Sequence, residues 1–228
     1  MYFNSSYFLC VALPTLILSA GVQFYLKTTF AKWRQIRNSS GLNGMQVGQA
    51  LFNRTSLNAI PLERISGQLT DHFDPRANVV RLSDPVGGQA SVAAMAVSAH
   101  ELGHVQQYQT GSSLITMRSF LLPAVQFSPM VSYAAIFMGI MFNITGLIWI
   151  GIFFFALMVL FTILTLPVEI DASRRALILL REAGLLENES DASGAKQVLI
   201  AAALTYLAAA ITSILQLLYY VNLARRNR

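Results

Sequence analysis

The chain has 228 residues, of which 54% are hydrophobic and only 12% are charged. Soluble proteins carry about twice that share of charged residues, so the composition excludes an ordinary soluble domain and indicates a chain that hides much of its surface in lipid. The net charge of +5 comes with basic residues that flank apolar segments. This distribution is typical of membrane topology and argues against nucleic-acid binding.

Four apolar stretches are long enough to cross a bilayer as helices, which takes about 20 residues each. They lie at residues 6–26, 120–142, 144–166 and 198–221. The first is predicted to be a retained anchor, because its positive charges follow it instead of preceding it as in a signal peptide. The third is predicted to end at Pro167. The sequence therefore predicts a mainly α-helical, multi-pass membrane protein, organised as a single domain over residues 1–228.

The polar segment at residues 27–119, between the first and second spans, carries several predicted elements. A helix is expected over Met45–Asn53, a turn over Asp71–Pro75, and a short strand over Asn78–Ser83. The strand is either an edge strand that pairs with an extended peptide substrate or a buried structural strand. An alanine-rich helix is predicted from Ala90 to Gln107.

A second polar segment, residues 168–196, is predicted to be helical as far as Glu182. Spans two and three are joined near Asn143 by almost no connection, so they form a hairpin and both polar segments face the same side of the membrane. Residues from the two segments can therefore meet in one site. Basic residues after the first span place that site in the cytoplasm, but the arginine-rich C-terminus then contradicts the same rule, so the sequence leaves the side open.

The run His100-Glu101-Leu102-Gly103-His104 has the H-E-x-x-H pattern on a predicted helix. Histidines four residues apart lie on one helix face and can hold one Zn²⁺, while Glu101 can accept a proton from a zinc-bound water. The alternative is an ordinary helix with two incidental histidines. The metal site is favoured because two of only three histidines in the chain stand at this spacing. Inside a helix, glycine is about 1 kcal/mol less favourable than alanine. The presence of Gly103 in this helix therefore predicts that another element approaches it closely.

Catalytic zinc takes three protein ligands, and Gln107 and Thr110 stand where a third histidine would follow at short spacing. Glu169, just after the third span, is the preferred third ligand, because a carboxylate at a membrane boundary is costly without a partner. The alternative for Glu169 is a solvated interface charge. Asp171 is the rival ligand, but an ion pair with Arg175, four residues further along the helix, is the preferred interpretation.

Other polar residues have weaker claims on the site. His72, between Asp71 and Asp74, could support a metal ligand or stabilise an oxyanion, or it could be a surface histidine in a turn. The surface interpretation is preferred, because nothing in the sequence fixes the distance of His72 from the site. Tyr206, in the fourth span, either lines the site or only packs there.

The segment SVAAMAVSAHELGHVQQ, from Ser91 to Gln107, resembles the motif region of the membrane-bound neutral zinc metallopeptidases of bacteria, the YugP-like family. Four further pieces agree: LTDHFDP at 69–75, VRLS at 80–83, PVEIDASRRA at 167–176 and AAALTY at 201–206. The resemblance covers nearly the whole chain. It implies a zincin-like site on a multi-pass scaffold in a bacterial cell membrane.

The site is also similar to that of HtpX-like and prenyl-protein membrane proteases. There a later E-x-x-x-D motif supplies the third zinc ligand, and its aspartate supports a ligand histidine. Glu169 matches the glutamate of that motif, but Ser173 stands where the aspartate would be. The resemblance therefore leaves Asp71 or Asp74 as candidates for the supporting role.

Together these patterns predict a zinc-dependent membrane endopeptidase that hydrolyses membrane-associated or unfolded proteins. The expected partners are a protein or peptide substrate and the lipid bilayer. The alternative is a non-catalytic, zinc-binding membrane scaffold or sensor. Glu101 argues against a pure scaffold, which does not need this residue. A transporter would carry paired ionisable residues inside its spans, and the predicted spans carry almost none. The oligomeric state and the cleavage preference are not specified by the sequence.

Overall fold

A computed structural model describes residues 7–226. Packing divides the chain into two compact units. The unit called apolar here comprises residues 7–22, Ser113–Pro167 and 205–226, and the polar unit comprises Gln23–Ser112 and Val168–Leu204. The sequence predicts one domain, and within it the packing distinguishes these two units.

The described chain is mainly helical, as predicted. In chain order, the helices are α1 (Leu13–Gln35), α2 (Gly44–Arg54), α3 (Asp84–Gly88), α4 (Val92–Gln109), α5 (Ser113–Met141), α6 (Thr145–Glu182) and α7 (Glu189–Arg226). The strands are β1 (Leu62–Ile65), β2 (His72–Asp74) and β3 (Val79–Ser83). A π-helical turn at Phe8–Ala12 precedes α1. Within residues 7–226, four helices are long and apolar enough to cross a membrane, namely Phe8–Gln35, α5, α6 and α7. The prediction of about four spans is confirmed.

In the apolar unit, large apolar side chains remain uncovered by protein. Phe120 is 83% exposed and Met130 is 73% exposed, which is expected of surfaces that face lipid. α5 and α6 turn back on each other around Asn143, whose φ is 55°. They pack closely at Gly151, whose carbonyl accepts a 2.9 Å hydrogen bond from Ser132 Oγ. The predicted hairpin of spans two and three is thus confirmed.

Helix α4 lies in the core of the polar unit. The Ser91 side chain caps its first turn by accepting a hydrogen bond from the Ala94 backbone N–H at 3.1 Å, a common way to satisfy a free donor at a helix start. Met95 and Leu102 are fully buried, and the small alanines between them let neighbouring elements approach. The helix predicted over Ala90–Gln107 is confirmed, with its bounds shifted by two residues.

The three strands form one sheet in the order β1-β3-β2, with β3 parallel to β1 and antiparallel to β2. The strand predicted at Asn78–Ser83 is confirmed as β3, but it occupies the middle of the sheet. Val80 and Leu82 are fully buried. Because both sides of β3 are already paired, the structure supports the buried structural strand and contradicts substrate pairing at β3. The edges belong to β1 and β2.

Two local predictions are wrong. The segment Asp71–Pro75 is not only a turn, because its central residues pair with β3 as β2 and the turn follows at 75–78. Pro167 does not end the helix that carries the third span, since α6 continues to Glu182. Proline removes one backbone donor, but membrane helices tolerate this loss. Val168 and Ala172 are fully buried beyond it, and this packing stabilises the continued helix.

Candidate metal centre

Three side chains converge in the polar unit. His100 and His104 lie on α4, and Glu169 lies on α6. The Oε2 atom of Glu169 is 3.3 Å from His100 Nε2 and 3.5 Å from His104 Nε2. The possible ligand atoms of all three residues lie within 4.8 Å of one another. The structure therefore brings the two histidines of the H-E-x-x-H pattern together with the carboxylate expected from the second polar segment.

These distances fit a zinc ion. Tetrahedral zinc with bonds of about 2.0–2.1 Å places neighbouring ligand atoms about 3.3–3.4 Å apart, close to the two separations from Glu169. Two imidazoles and one carboxylate form a donor set known from catalytic zinc sites, in which a fourth position stays open. Glu169 is 4% exposed, which is costly for a carboxylate unless cationic partners surround it.

Gly103 explains how α6 comes close enough to α4. A Cβ atom on Gly103 would meet the carbonyl oxygen of Ala172 at a distance that real Cβ atoms essentially never show. Since Ala172 follows Glu169 by three residues, the contact holds the ligand-bearing turn of α6 against the histidine pair. The predicted tight approach at Gly103 is confirmed, and the approaching element is α6.

The second ring nitrogen of each histidine also has a partner. His104 Nδ1 lies 3.0 Å from Gln107 Oε1, and His100 Nδ1 lies 3.2 Å from Ser173 Oγ. An amide oxygen only accepts, so His104 Nδ1 donates a proton to Gln107 and Nε2 is the nitrogen that faces Glu169. Ser173, which stands where an E-x-x-x-D motif starting at Glu169 would have its aspartate, contacts His100. Partners of this kind fix the tautomer and orientation of metal-binding imidazoles.

Gln107 joins the two ligand-bearing helices. It is fully buried, and its Nε2 donates to the Val168 carbonyl and to Asp171 Oδ2, both at 2.8 Å. Asp171 accepts in turn from Arg175 Nε at 2.7 Å, which is the ion pair predicted between them. Sequence analysis missed the contact between Gln107 and His104. The three-residue spacing on one helix face was the available indication.

Glu101 is buried beside the cluster, with 7% of its surface exposed. Burial away from water raises the pKa of Glu101, although positive charge at His100 and His104 opposes the rise. A carboxylate with a raised pKa is a stronger base than an ordinary one. Glu101 is thus suited to accept a proton from a group at the centre.

The electrostatic environment of the cluster favours a cation. Burial alone would lower the pKa of His104, but the hydrogen bond to Glu169 and the negative charge of Glu101 outweigh it. The pKa of His104 is therefore raised, which means that the surrounding acids stabilise a positive charge here. A bound divalent ion would supply that charge.

His72 and Asp74 are tied to the sheet. His72 Nδ1 lies 2.8 Å from the Thr70 carbonyl, so it donates there, and its Nε2 lies 3.4 Å from Arg81 Nη1. Asp74 Oδ2 accepts from the same Arg81 nitrogen at 3.0 Å. These contacts give both side chains a structural role in β2 and β3.

The negative charge of Asp71 acts on Glu101 and adds to the rise in the pKa of Glu101. Asp71 accepts hydrogen bonds from the Ser83 backbone N–H at 2.7 Å and from Ser83 Oγ, and burial raises its pKa. Asp71 and Asp74 are candidates from the sequence for supporting a ligand histidine, and the described contacts of the two Nδ1 atoms are to Gln107 and Ser173. Tyr206 lies on α7, and its place at the site or in packing stays a prediction.

Comparison with known proteins agrees with the chemistry of the cluster. The sequence model of a family described as "Putative neutral zinc metallopeptidase" matches residues 8–225. A relative in Bacillus subtilis (strain 168), named "Putative membrane protease YugP", is 36% identical over 221 residues, which cover 97% of this chain and 98% of the relative. No solved structure gives a significant match. The relative and the four apolar helices identify a multi-pass protein of a bacterial membrane, and the two matches, each spanning nearly the full length, show that the chain belongs to the neutral zinc metallopeptidase family.

Proposed function

We propose that this chain is a zinc-dependent endopeptidase that cleaves membrane-associated or unfolded proteins. The observation that carries the proposal is the convergence of His100, His104 and Glu169 at separations that suit tetrahedral zinc. The family implies zinc, and the donor set fits that ion.

In the proposed mechanism, His100, His104 and Glu169 hold the ion. When bound, zinc acts as a Lewis acid toward the peptide carbonyl and makes water more acidic. Glu101 accepts a proton from the attacking water and later passes it to the leaving amine nitrogen. Gln107 and Ser173 hold the two imidazoles with Nε2 directed to the centre.

We infer the substrate class from the position of Glu169 along α6. Glu169 comes three residues after the predicted span at 144–166, which is about 4.5 Å along a helix. The closeness of Glu169 to this apolar stretch in the sequence favours substrates at the membrane surface. An extended segment could pair with β2, whose described hydrogen-bonding partner is β3 alone and which packs on α4 through Phe73 and Tyr108, with ring centroids 5.7 Å apart.

The test is the substitution Glu101→Gln in the full chain, purified in detergent and loaded with zinc. We expect zinc content equal to wild type and no cleavage of unfolded protein substrates, because the amide cannot take the proton. Glu182→Gln, at an exposed position at the end of α6, is the matched control and should retain cleavage. Cleavage that persists in Glu101→Gln would refute the assigned base.

The same experiment separates the enzyme from the non-catalytic alternative. A zinc-loaded wild-type protein that leaves every unfolded and membrane-anchored substrate intact would instead support a scaffold or sensor. The burial of Glu101 beside the ligands favours the enzyme, because a site that only stores zinc gains nothing from an additional buried acid.

A further inference from the structure

An open cleft of about 620 Å³ lies in the polar unit, between the last turns of α1 and the segment at residues 89–91. Its walls carry two arginines, Arg34 and Arg37, with the neutral amides of Gln35 and Gln89. No acidic side chain lines it. The residues of the metal centre are not part of this lining.

The two arginines retain their charge for a ligand. Arg34 Nε donates to the neutral Gln89 Oε1 at 2.9 Å, and among the described residues neither Arg34 nor Arg37 belongs to an ion pair. By contrast, Arg81 and Arg175 each face a carboxylate within 3.1 Å. The cleft therefore concentrates unneutralised positive charge.

The position of the cleft along α1 indicates the source of the anion. The apolar stretch of α1 ends at residue 26, and Lys27, Ala31 and Arg34 follow on one helix face. Arg34 stands eight residues, about 12 Å, beyond the end of that stretch. The headgroup layer is about 5–7 Å deep on each side of a bilayer, so Lys27 lies within it. The long Arg34 side chain can reach its outer edge, and the small Ala31 leaves space between the two basic groups.

The positive charge on this face of α1 is localised, unlike the charge of a diffuse basic surface. Lys32 lies on another side of α1, with its Nζ 4.8 Å from the Trp33 ring centroid. The base of the cleft is fixed by backbone bonds from Asn38 N to the Ala90 carbonyl at 3.3 Å and from Val92 N to the Ile36 carbonyl at 2.9 Å. The backbone on both sides of the cleft is thus ordered, and the Arg34 side chain is held by its bond to Gln89.

We propose that this cleft binds the phosphate group of an anionic phospholipid. Arg34 donates to the phosphate oxygens, Arg37 adds positive charge at the outer end of the cleft, and the glycerol and acyl chains run back past Ala31 and Lys27 toward the apolar part of α1. The proposal is independent of peptidase activity, because it uses none of the residues of the metal centre.

The experiment uses the full chain in an uncharged detergent, incubated with phosphatidylglycerol, with phosphatidylcholine or with inorganic phosphate alone. Bound lipid is counted by native mass spectrometry. The variant Arg34→Gln/Arg37→Gln is compared with Arg76→Gln/Lys196→Gln, which removes the same charge from exposed positions in the polar unit. Zinc content checks that each variant is folded.

We expect wild type and the control pair to bind phosphatidylglycerol in preference to phosphatidylcholine. The cleft variant should bind it about 25-fold more weakly, at about fivefold for each basic residue lost. Equal binding of the two lipids by wild type, or an equal loss in the control pair, would overturn the proposal. If millimolar phosphate saturates the site and abolishes the lipid preference, the cleft is a general anion site. That result would also overturn the proposal.

A second variant keeps the test decisive if the arginine pair proves necessary for folding. Ala31→Trp fills the space between Lys27 and Arg34 without changing any charge, and Ala31 is exposed, so the fold should tolerate it. A defined lipid site predicts at least a tenfold loss of phosphatidylglycerol binding. General attraction to a basic surface predicts no loss, and that result would contradict the proposal.

Discussion

Replacement of Gln107 tests how the two ligand-bearing helices are held together. In Gln107→Met, the side chain keeps its approximate volume but loses the acceptor for His104 Nδ1 and both donor bonds, to Val168 and Asp171. All three contacts are 2.8–3.0 Å long and the residue is fully buried, so water cannot replace them. Loss of a partner that orients a metal-binding histidine typically weakens metal binding 10–100-fold, which corresponds to about 1.4–2.8 kcal/mol.

A double substitution provides the internal check. Gln107→Glu restores an acceptor for His104 but places a carboxylate against Asp171, so zinc binding should remain weak. In Gln107→Glu/Asp171→Asn the repulsion with residue 171 disappears and the new amide can donate to the new carboxylate. The Val168 carbonyl still faces an acceptor, so only part of the lost affinity should return. Residues in direct contact commonly show coupling energies of about 0.5–3 kcal/mol.

The assay is zinc affinity by competition with a coloured chelator, supported by the absorption spectrum of the cobalt-substituted protein. The control is Gln109→Met on the same helix, whose side chain bonds to Asn58 in an exposed position and should change zinc affinity less than twofold. A zinc affinity for Gln107→Met equal to that of the control would refute the positioning role. A double variant no better than Gln107→Glu would refute the specific contact with Asp171.

The remaining predictions concern ligation, helix contact and metal removal. Glu169→Ala should lower zinc affinity at least 100-fold, whereas Asp171→Ala should lower it less than tenfold, because Asp171 acts only through Gln107; metal analysis after dialysis distinguishes the two. Gly103→Ala should destabilise the fold by about 1–3 kcal/mol through overpacking, measured by denaturant unfolding. Gly21→Ala, where a Cβ would meet nothing within 4 Å, should be neutral or slightly stabilising; equal losses in both variants would contradict the contact with Ala172. Chelation of the metal should lower the melting temperature and added zinc should restore it, since a ligand of the native state stabilises it; an unchanged melting temperature would argue against a metal held by folded residues.

Much of the architecture could be predicted from local patterns. Apolar stretches of bilayer length identify the four spans, and the four-residue spacing of His100 and His104 places two potential ligands on one helix face. Glu169 could be nominated because a carboxylate beside an apolar span needs a partner. Each of these inferences depends on a short-range or one-dimensional property of the chain.

The wrong predictions fall where distant segments decide the local structure. Pro167 suggests a helix end, but packing of Val168 and Ala172 in the polar unit stabilises the continued helix. β2 is not evident from the sequence because a three-residue strand depends on pairing with β3, which periodicity cannot show. Ser173 could not be assigned to His100 from the sequence, because their contact depends on the register between α4 and α6. The bonds of Gln107 to Val168 and Asp171 depend on the same register, whereas its contact with His104 is local to α4.

The central claim is that one ion is bound by His100, His104 and Glu169 together. The most direct measurement is an anomalous difference map at the zinc absorption edge from crystals of the full chain grown with zinc. We expect a single strong peak about 2.0–2.2 Å from His100 Nε2, His104 Nε2 and a carboxylate oxygen of Glu169. A peak that contacts the histidines while Glu169 stays beyond bonding distance, or a strong peak elsewhere in the chain, would contradict the account.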